Sequence, residues 1–250
     1  MKYLLFFLVV PFAYIGCSQP QEKPYNGWPN HFLKGNVRSI HSSYYQADAS
    51  GAPGWKWNVG DDSQTFDRQG NLLVQHTSLG DADRLQAKVE YTYQEGKLTG
   101  WNAYKGDTLI ENGVFDYENN RISGSRKYDE QGEQVCTTVY TYHGDKIATI
   151  TEYNSGQAVV TQTTYHYKND VLSYKMTEFP LSRVFCKTVY DPNGWVETEI
   201  QAGYTEGDTH HITESSTYAY LFDEKGNWIQ YTLFENGEAQ HILKRDIEYF

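Results

Sequence analysis

Phe66-Asp-Arg-Gln-Gly-Asn-Leu-Leu73, Tyr128-Asp-Glu-Gln-Gly-Glu-Gln-Val135, Tyr190-Asp-Pro-Asn-Gly-Trp-Val196 and Phe222-Asp-Glu-Lys-Gly-Asn-Trp-Ile229 are four copies of one turn. The turn aspartates Asp67, Asp129, Asp191 and Asp223 stand first, where a carboxylate can accept from nearby backbone N–H groups. Gly70, Gly132, Gly194 and Gly226 follow three residues later, where a bulged hairpin wants positive φ. Because these aspartates recur, they read as turn residues and not as catalysts.

Working outward, the aromatics that open successive turns are Phe66, Tyr93, Tyr104, Tyr117, Tyr128, Tyr142, Tyr153, Tyr167, Phe179, Tyr190, Phe222 and Phe234. From Tyr117 to Tyr167 the steps alternate 11, 14, 11, 14. Such a step leaves roughly six to eight residues of strand plus a turn, which is hairpin spacing. Between turns, Val135–Tyr142 and Val159–Tyr167 are rich in Val, Thr and Tyr with period-two alternation. No stretch has the period of a long amphipathic helix. The expected fold is all-β: an extended antiparallel meander of roughly 12–16 short strands, twisted and able to curl into a partial shell, with open and closed sheets both left by the sequence. Cross-strand Tyr, Thr and Val pairs would hold it together.

These units resemble the YD repeats of Rhs-type proteins, whose motif runs Tyr-x-Tyr-Asp-x-x-Gly-Arg-Leu. Tyr218-Ala-Tyr-Leu-Phe-Asp-Glu-Lys-Gly-Asn-Trp-Ile229 carries the Tyr, Asp and Gly positions, with Asn227 and Trp228 in place of Arg and Leu. The resemblance extends from about residue 64 to the end. The segment Leu33–Tyr45 is similar to the opening strand of small repeat lipoproteins of the Bacteroidetes type. In large Rhs proteins the repeats build a spiral shell around a toxic domain. At 250 residues this chain reads as too short to close a shell, so the resemblance implies no toxin-delivery role.

At the other end, Lys2 precedes an apolar run from Leu4 to Ile15, then Gly16-Cys17. Residues 1–17 read as a lipoprotein signal peptide with Cys17 as the acylated residue, too short for a spanning helix. Residues 18–30 form a polar, proline-bearing tether. Residues 31–250 form a single repeat domain. The expected address is the cell envelope, as an outer-membrane lipoprotein. The membrane is reached through the lipid anchor, on the periplasmic or the surface face.

Lys plus Arg number 21 against 32 for Asp plus Glu, a net charge of −11, which disfavours nucleic acid. Cys136 and Cys186 lie several strands apart and read as free thiols. His210-His211, as strand neighbours, point to opposite faces and make a poor chelating pair. No metal or cofactor motif appears, and none is expected. Asp61-Asp62 and Asp81/Asp83 read as solvated turns, although paired carboxylates can serve glycoside hydrolysis.

Tryptophans are the best candidates for ligand contact, and Trp55, Trp57 and Trp101 are the expected ligand-binding residues. Trp55 and Trp57 sit in a loop outside the repeat rhythm. Trp195 and Trp228 occupy near-equivalent repeat positions just after the turn glycine and read as sheet cover. The expectation is a non-enzymatic binding or scaffold module, with an envelope protein or a glycan as partner. The alternative is a surface glycan-binding protein, or a carbohydrate-active accessory, using the Trp55/Trp57 loop.

Overall fold

The computed structural model describes residues 33–56, 61–78, 86–204 and 210–250. The signal, the tether, Cys17, Trp57, Asp81 and Asp83 lie outside them. Seventeen strands follow in chain order: β1 Val37–Ala47, β2 Pro53–Lys56, β3 Asp62–Phe66, β4 Leu72–Ser78, β5 Gln86–Gln94, β6 Lys97–Lys105, β7 Thr108–Glu118, β8 Arg121–Asp129, β9 Gln134–His143, β10 Lys146–Asn154, β11 Val159–Lys168, β12 Val171–Phe179, β13 Val184–Tyr190, β14 Val196–Tyr204, β15 His210–Phe222, β16 Trp228–Glu235 and β17 Glu238–Tyr249. Apart from β2 and β3, each pairs antiparallel with its neighbour in sequence, as a meander should.

The sheet does not stay open. β1 takes β17 on one side, with Ile40 opposite Ile247, and β3 on the other, with Ser42 opposite Asp62. The short β2 pairs with the upper end of β1, so sixteen strands close into a barrel. The expectation of a partial shell is thereby corrected. A meander of hairpins needs no encircling domain to close on itself, and its right-handed twist brings first and last strands together. Closure also removes the free edges that an open sheet would present.

The turn aromatics mark bulges at both rims: the register slips beside Tyr93, Tyr117 and Tyr167 at one rim, and beside Tyr104, Tyr128 and Tyr153 at the other. Each bulge re-aims its strand. Tyr93, Tyr117, Tyr142 and Tyr167 pack against the core, whereas the pairing puts Tyr104, Tyr128 and Tyr153 on the outer face. This is why the aromatic spacing alternates: two rims share one motif and turn it to opposite sides.

The Asp-x-x-Gly turns are built as the sequence pattern demands. In the first, Asp67 Oδ1 accepts from Gln69 N and Asn71 N, and Gly70 N donates to Asp67 O at φ +79°. Asp129, Asp191 and Asp223 repeat the arrangement. The segment Asp48-Ala-Ser-Gly51 makes the same turn without the aromatic, Asp48 accepting from Ser50 N and Ala52 N.

Candidate functional site

One face of the closed sheet carries nearly all the buried apolar side chains, so that face is the barrel interior. Its lower level, at the rim where both β1 begins and β17 ends, is solid. Ile40, Leu72, Ile147 and Ile150 are each at most 2% exposed there, beside Leu98, Trp101, Phe115, Ile122 and Leu172. A lumen-facing side chain with no accessible surface has no open channel beside it. Leu33 adds to this floor, and Asn227 clamps the entering chain by accepting from Lys34 N (2.6 Å) and donating to Lys34 O (2.9 Å).

A tyrosine ladder holds the floor. Tyr93, Tyr117, Tyr142 and Tyr167 each donate Oη–H to a backbone carbonyl one hairpin earlier: Leu72 (3.0 Å), Leu98 (2.9 Å), Ile122 (2.8 Å) and Ile147 (3.0 Å). Tyr220 does the same to Val196 (3.0 Å). Lys97, Arg121 and Lys146 lie over the rings of Tyr117, Tyr142 and Tyr167 at 5.1–5.5 Å. Cations at this distance gain from the ring quadrupole. Each rung thus satisfies a carbonyl and buries a ring, and three of the five cover it with charge.

Above the floor the inner wall turns polar, and the Lys127, Glu111, Thr161, Thr163 and Glu199 side chains keep part of their surface open, while Thr188 is buried. Lys127 pairs with Glu111 at 2.9 Å, Thr161 donates to Glu152 at 2.8 Å, and the Thr163 and Thr177 hydroxyls meet at 2.9 Å. Glu199 accepts from Tyr218 (2.5 Å) and Thr188 (3.2 Å). Burial, reinforced by the Glu199 charge, drives the Tyr218 phenol far above its ordinary value.

The densest part of this wall is the seam where β15–β17 meet β1 and β3. Trp228, Tyr231, Tyr218 and Tyr220 pack with centroids 5.4–6.5 Å apart, in the range of favourable aromatic geometry. The Arg245 guanidinium lies 3.4 Å over the Trp228 ring. Its Nε is buried with no hydrogen-bond partner among the described residues, and burial lowers its pKa to about 10. It remains a cation at neutral pH. Two strands away, Asp62 accepts from Tyr44 at 3.2 Å through Oδ2, while its Oδ1 is buried and unpartnered. Burial raises the Asp62 carboxyl, against the hydrogen bonds of Tyr44 and Thr77. Register puts the small, buried Ser42 directly opposite both Asp62 and Arg245.

The tryptophans expected to bind ligand are not brought together. Trp55 is 68% exposed on β2 at the upper rim. Trp101 is 5% exposed inside the floor, packed on Gly113 so tightly that a Cβ there would stand 2.3 Å from the indole Nε1. It has no face to offer a ligand from solvent. Trp228 is buried in the wall as the platform under Arg245. Trp195 packs against Tyr220 and Phe222. Cys136 and Cys186 form no disulfide with one another.

Asp62 overturns its reading as part of a solvated turn. It lies on β3, and alternation carries it to the interior. Arg245 was legible and missed: in Leu243-Lys-Arg-Asp-Ile-Glu-Tyr249 it shares the inward parity with Leu243, Ile247 and Tyr249, a charge where its strand offers apolar neighbours.

The fold can now be set beside known proteins. A porin-like protein from Bacteroides uniformis ATCC 8492 matches 86% of this chain and 99% of its own, at TM-score 0.56 and 12% identity. A porin-like protein from Bacteroides vulgatus ATCC 8482 matches 86% and 98%, at 0.49 and 14%. The Photorhabdus luminescens Tc holotoxin pore matches 77% of this chain and 12% of its own, at 0.28 and 12%. At such identities the first match establishes a shared barrel fold, and the other two carry no argument. No family model matches the sequence, and no curated protein matches it.

Proposed function

We propose that this chain is a non-enzymatic, lipid-anchored envelope protein whose barrel is a blind cup that binds a ligand in its polar interior. The observation that carries this reading is the contrast along the barrel axis: a floor excluded from solvent beneath a wall of Glu, Lys, Thr, Tyr and Arg side chains that keep open surface. Ligand sites are concave, with aromatic lining and a few placed polar groups.

The outer face supports a barrel standing in water rather than in lipid. It carries the ion pairs Lys88–Glu90 (2.9 Å) and Arg126–Asp116 (2.6 Å), and the Thr141–Thr149 hydroxyl pair (2.7 Å). A transmembrane barrel needs an outward apolar band instead. The hairpins are read as YD-type repeats on their Asp-x-x-Gly turns. The chain enters at the floor rim, so an anchor at Cys17 would hold the floor toward the membrane and the mouth away from it. The exposed Trp55 favours a second reading, surface glycan contact through the Trp55/Trp57 loop.

Reconstitution of the full chain in planar bilayers tests the cup against a pore. A cup gives no stepwise conductance; reproducible steps would overturn the reading. Turnover of envelope polysaccharide by the pure chain, lost in a single carboxylate variant, would overturn its non-enzymatic part.

A further inference from the structure

We propose that one arc of the floor rim, running from Val171 through Trp195, Leu221, Phe222 and Phe250 to Leu73, docks on the lipid surface that holds the Cys17 anchor. The proposal rests on the reading of Cys17 as acylated and specifies which side chains of the barrel meet the bilayer.

The rim has two unlike parts. Lys97, Arg121 and Lys146 are the first residues of β6, β8 and β10, and each lies over a ladder tyrosine. Arg121 and Lys146 also pair with Asp145 and Asp170 on the next turn. β12 breaks this series, because it begins with Val171, which is 44% exposed. Onward round the rim come Trp195, then Leu221 and Phe222, then Phe250 at the end of β17 and Leu73 at the start of β4. Phe222 departs furthest from the repeat. Phe66 and Tyr190 open the equivalent turns and are buried, whereas Phe222 is 43% exposed. The arc is continuous: Trp195 packs on Phe222 at 5.6 Å, Tyr249 donates to Asp223, and Arg68 of the β3–β4 turn lies 5.4 Å over the Phe250 ring. At the mouth rim the exposed Trp55, Leu109 and Leu181 stand apart, with at least four strands between any two. Exposed apolar residues that gather in one patch mark an interaction surface, and scattered ones do not.

The occupant follows from where the chain enters. Asn227 of the β15–β16 turn holds Lys34, and Phe250 N donates to Asn36 O, so the entry lies within the arc. Cys17 stands sixteen residues before Leu33. A lipid there keeps the rim within roughly 55 Å of the bilayer, the most that sixteen residues can span. At the resulting effective concentration a weak contact suffices. Indole and phenyl rings settle at the headgroup level, and aliphatic side chains reach the acyl boundary. Charge agrees with a zwitterionic surface. Lys34, Arg68 and Lys225 stand among Asp67, Asp191, Asp223 and Glu224, so the arc is close to neutral in a chain of net charge −11. Anionic lipid gains nothing from such a balance.

The chain from Ser18 onward keeps every described strand and lacks the lipid, and it is floated with vesicles of phosphatidylcholine or of phosphatidylglycerol. It should float with phosphatidylcholine, equally at low and high salt, and no better with phosphatidylglycerol. Phe222→Ser and Leu221→Ser should each weaken partition about threefold, and the triple variant with Phe250→Ser tenfold or more. Leu221→Ser, the most exposed of the three sites, guards against a fold defect in Phe222→Ser. Leu181→Ser at the mouth should bind as wild type does. In the acylated full-length protein, brominated acyl chains should quench tryptophan emission, and less so in Trp195→Phe. No flotation on phosphatidylcholine, binding that needs phosphatidylglycerol and fades with salt, undiminished binding in the rim variants, or equal loss in Leu181→Ser overturns the proposal. A dimer in the ultracentrifuge that Phe222→Ser splits, without vesicle binding, would assign the arc to a second copy and overturn it too. If the chain from Ser18 ignores vesicles while mass spectrometry finds acyl groups on Cys17, the arc falls and the anchor survives; a Cys17 without them would sink the anchor itself.

Discussion

The half of the barrel from β5 to β12 and the seam from β14 round to β3 are made of the same hairpins and treat their interior differently. In the first half the repeat is regular. Tyr93, Tyr117, Tyr142 and Tyr167 each find a carbonyl, Glu111 faces Lys127, Glu152 faces Thr161, and Thr163 faces Thr177. In the seam the tyrosines crowd together, a guanidinium sits on an indole, and Arg245 Nε and Asp62 Oδ1 go unmatched, whereas in the regular half the buried Glu111 Oε2 lacks a hydrogen bond but stands 2.9 Å from the Lys127 ammonium. A repeat that satisfies every rung needs nothing further. Where a fold breaks its own local consistency, function is the first explanation to test.

The sharpest way to break this comparison is to damage the regular half. Trp101 fills the floor against Gly113, so Trp101→Ala should cost about 3–5 kcal/mol in stability, the range for a large aromatic removed from a core. Gly113→Ala approaches the same contact from the other side. Its Cβ would press on a rigid indole, and about 1–3 kcal/mol of overpacking is expected. Thermal melts of both check the floor. If either variant melts with the wild type, the floor is not packed as described and the cup loses its base.

Smaller effects sharpen the comparison. Tyr93→Phe and Tyr167→Phe each remove one rung's hydrogen bond and should cost about 0.5–1.5 kcal/mol. The two rungs share no partner, so the double variant should show their sum to within a few tenths of a kcal/mol. Strong coupling between them in a denaturant series would mean that the ladder acts as one unit instead of a stack of independent rungs.

How much of this was legible follows from what a repeat encodes. Asp67, Gly70 and their equivalents recur, and recurrence reveals hairpins. The alternation of 11 and 14 held more: it separates inward Tyr117 from outward Tyr128, and the bulges that convert spacing into facing became visible only in the strand pairing. Closure was not legible, because the Ile40–Ile247 pairing joins residues at opposite ends of the chain and no local pattern announces it. Trp101 was misjudged for the same reason. Its neighbour Gly113 lies on the next strand, and a glycine beneath an indole reads in sequence only as a weak strand position. Arg245 and Asp62 stand alone in their strands, and a feature that occurs once has no periodicity to betray it. Their meeting across Ser42 depends on closure.

The gentlest prediction concerns pH and sets the seam against a repeat turn. Burial raises the Asp62 carboxyl, so the folded chain binds that proton more tightly than the unfolded chain does. Stability from this group therefore falls as pH rises from the ordinary carboxylate value through the raised folded one. Asp223 runs the other way. Burial pushes it up, but hydrogen bonds from Tyr249 and the amides of Asn227 and Lys225 win, and the net shift is downward. Its contribution is present above the ordinary carboxylate value and is lost as pH falls through the folded one. Melting temperature followed from acid to neutral pH should then separate two variants of identical chemistry. Asp62→Asn should gain on the wild type as pH rises, because it removes the burden of an ionised carboxylate in the seam. Asp223→Asn should lose on the wild type over the same range, because it discards a carboxylate that the turn was built to receive. Parallel curves for both variants would mean that Asp62 is as well solvated as any turn aspartate, and the contrast between seam and repeat would fall with it.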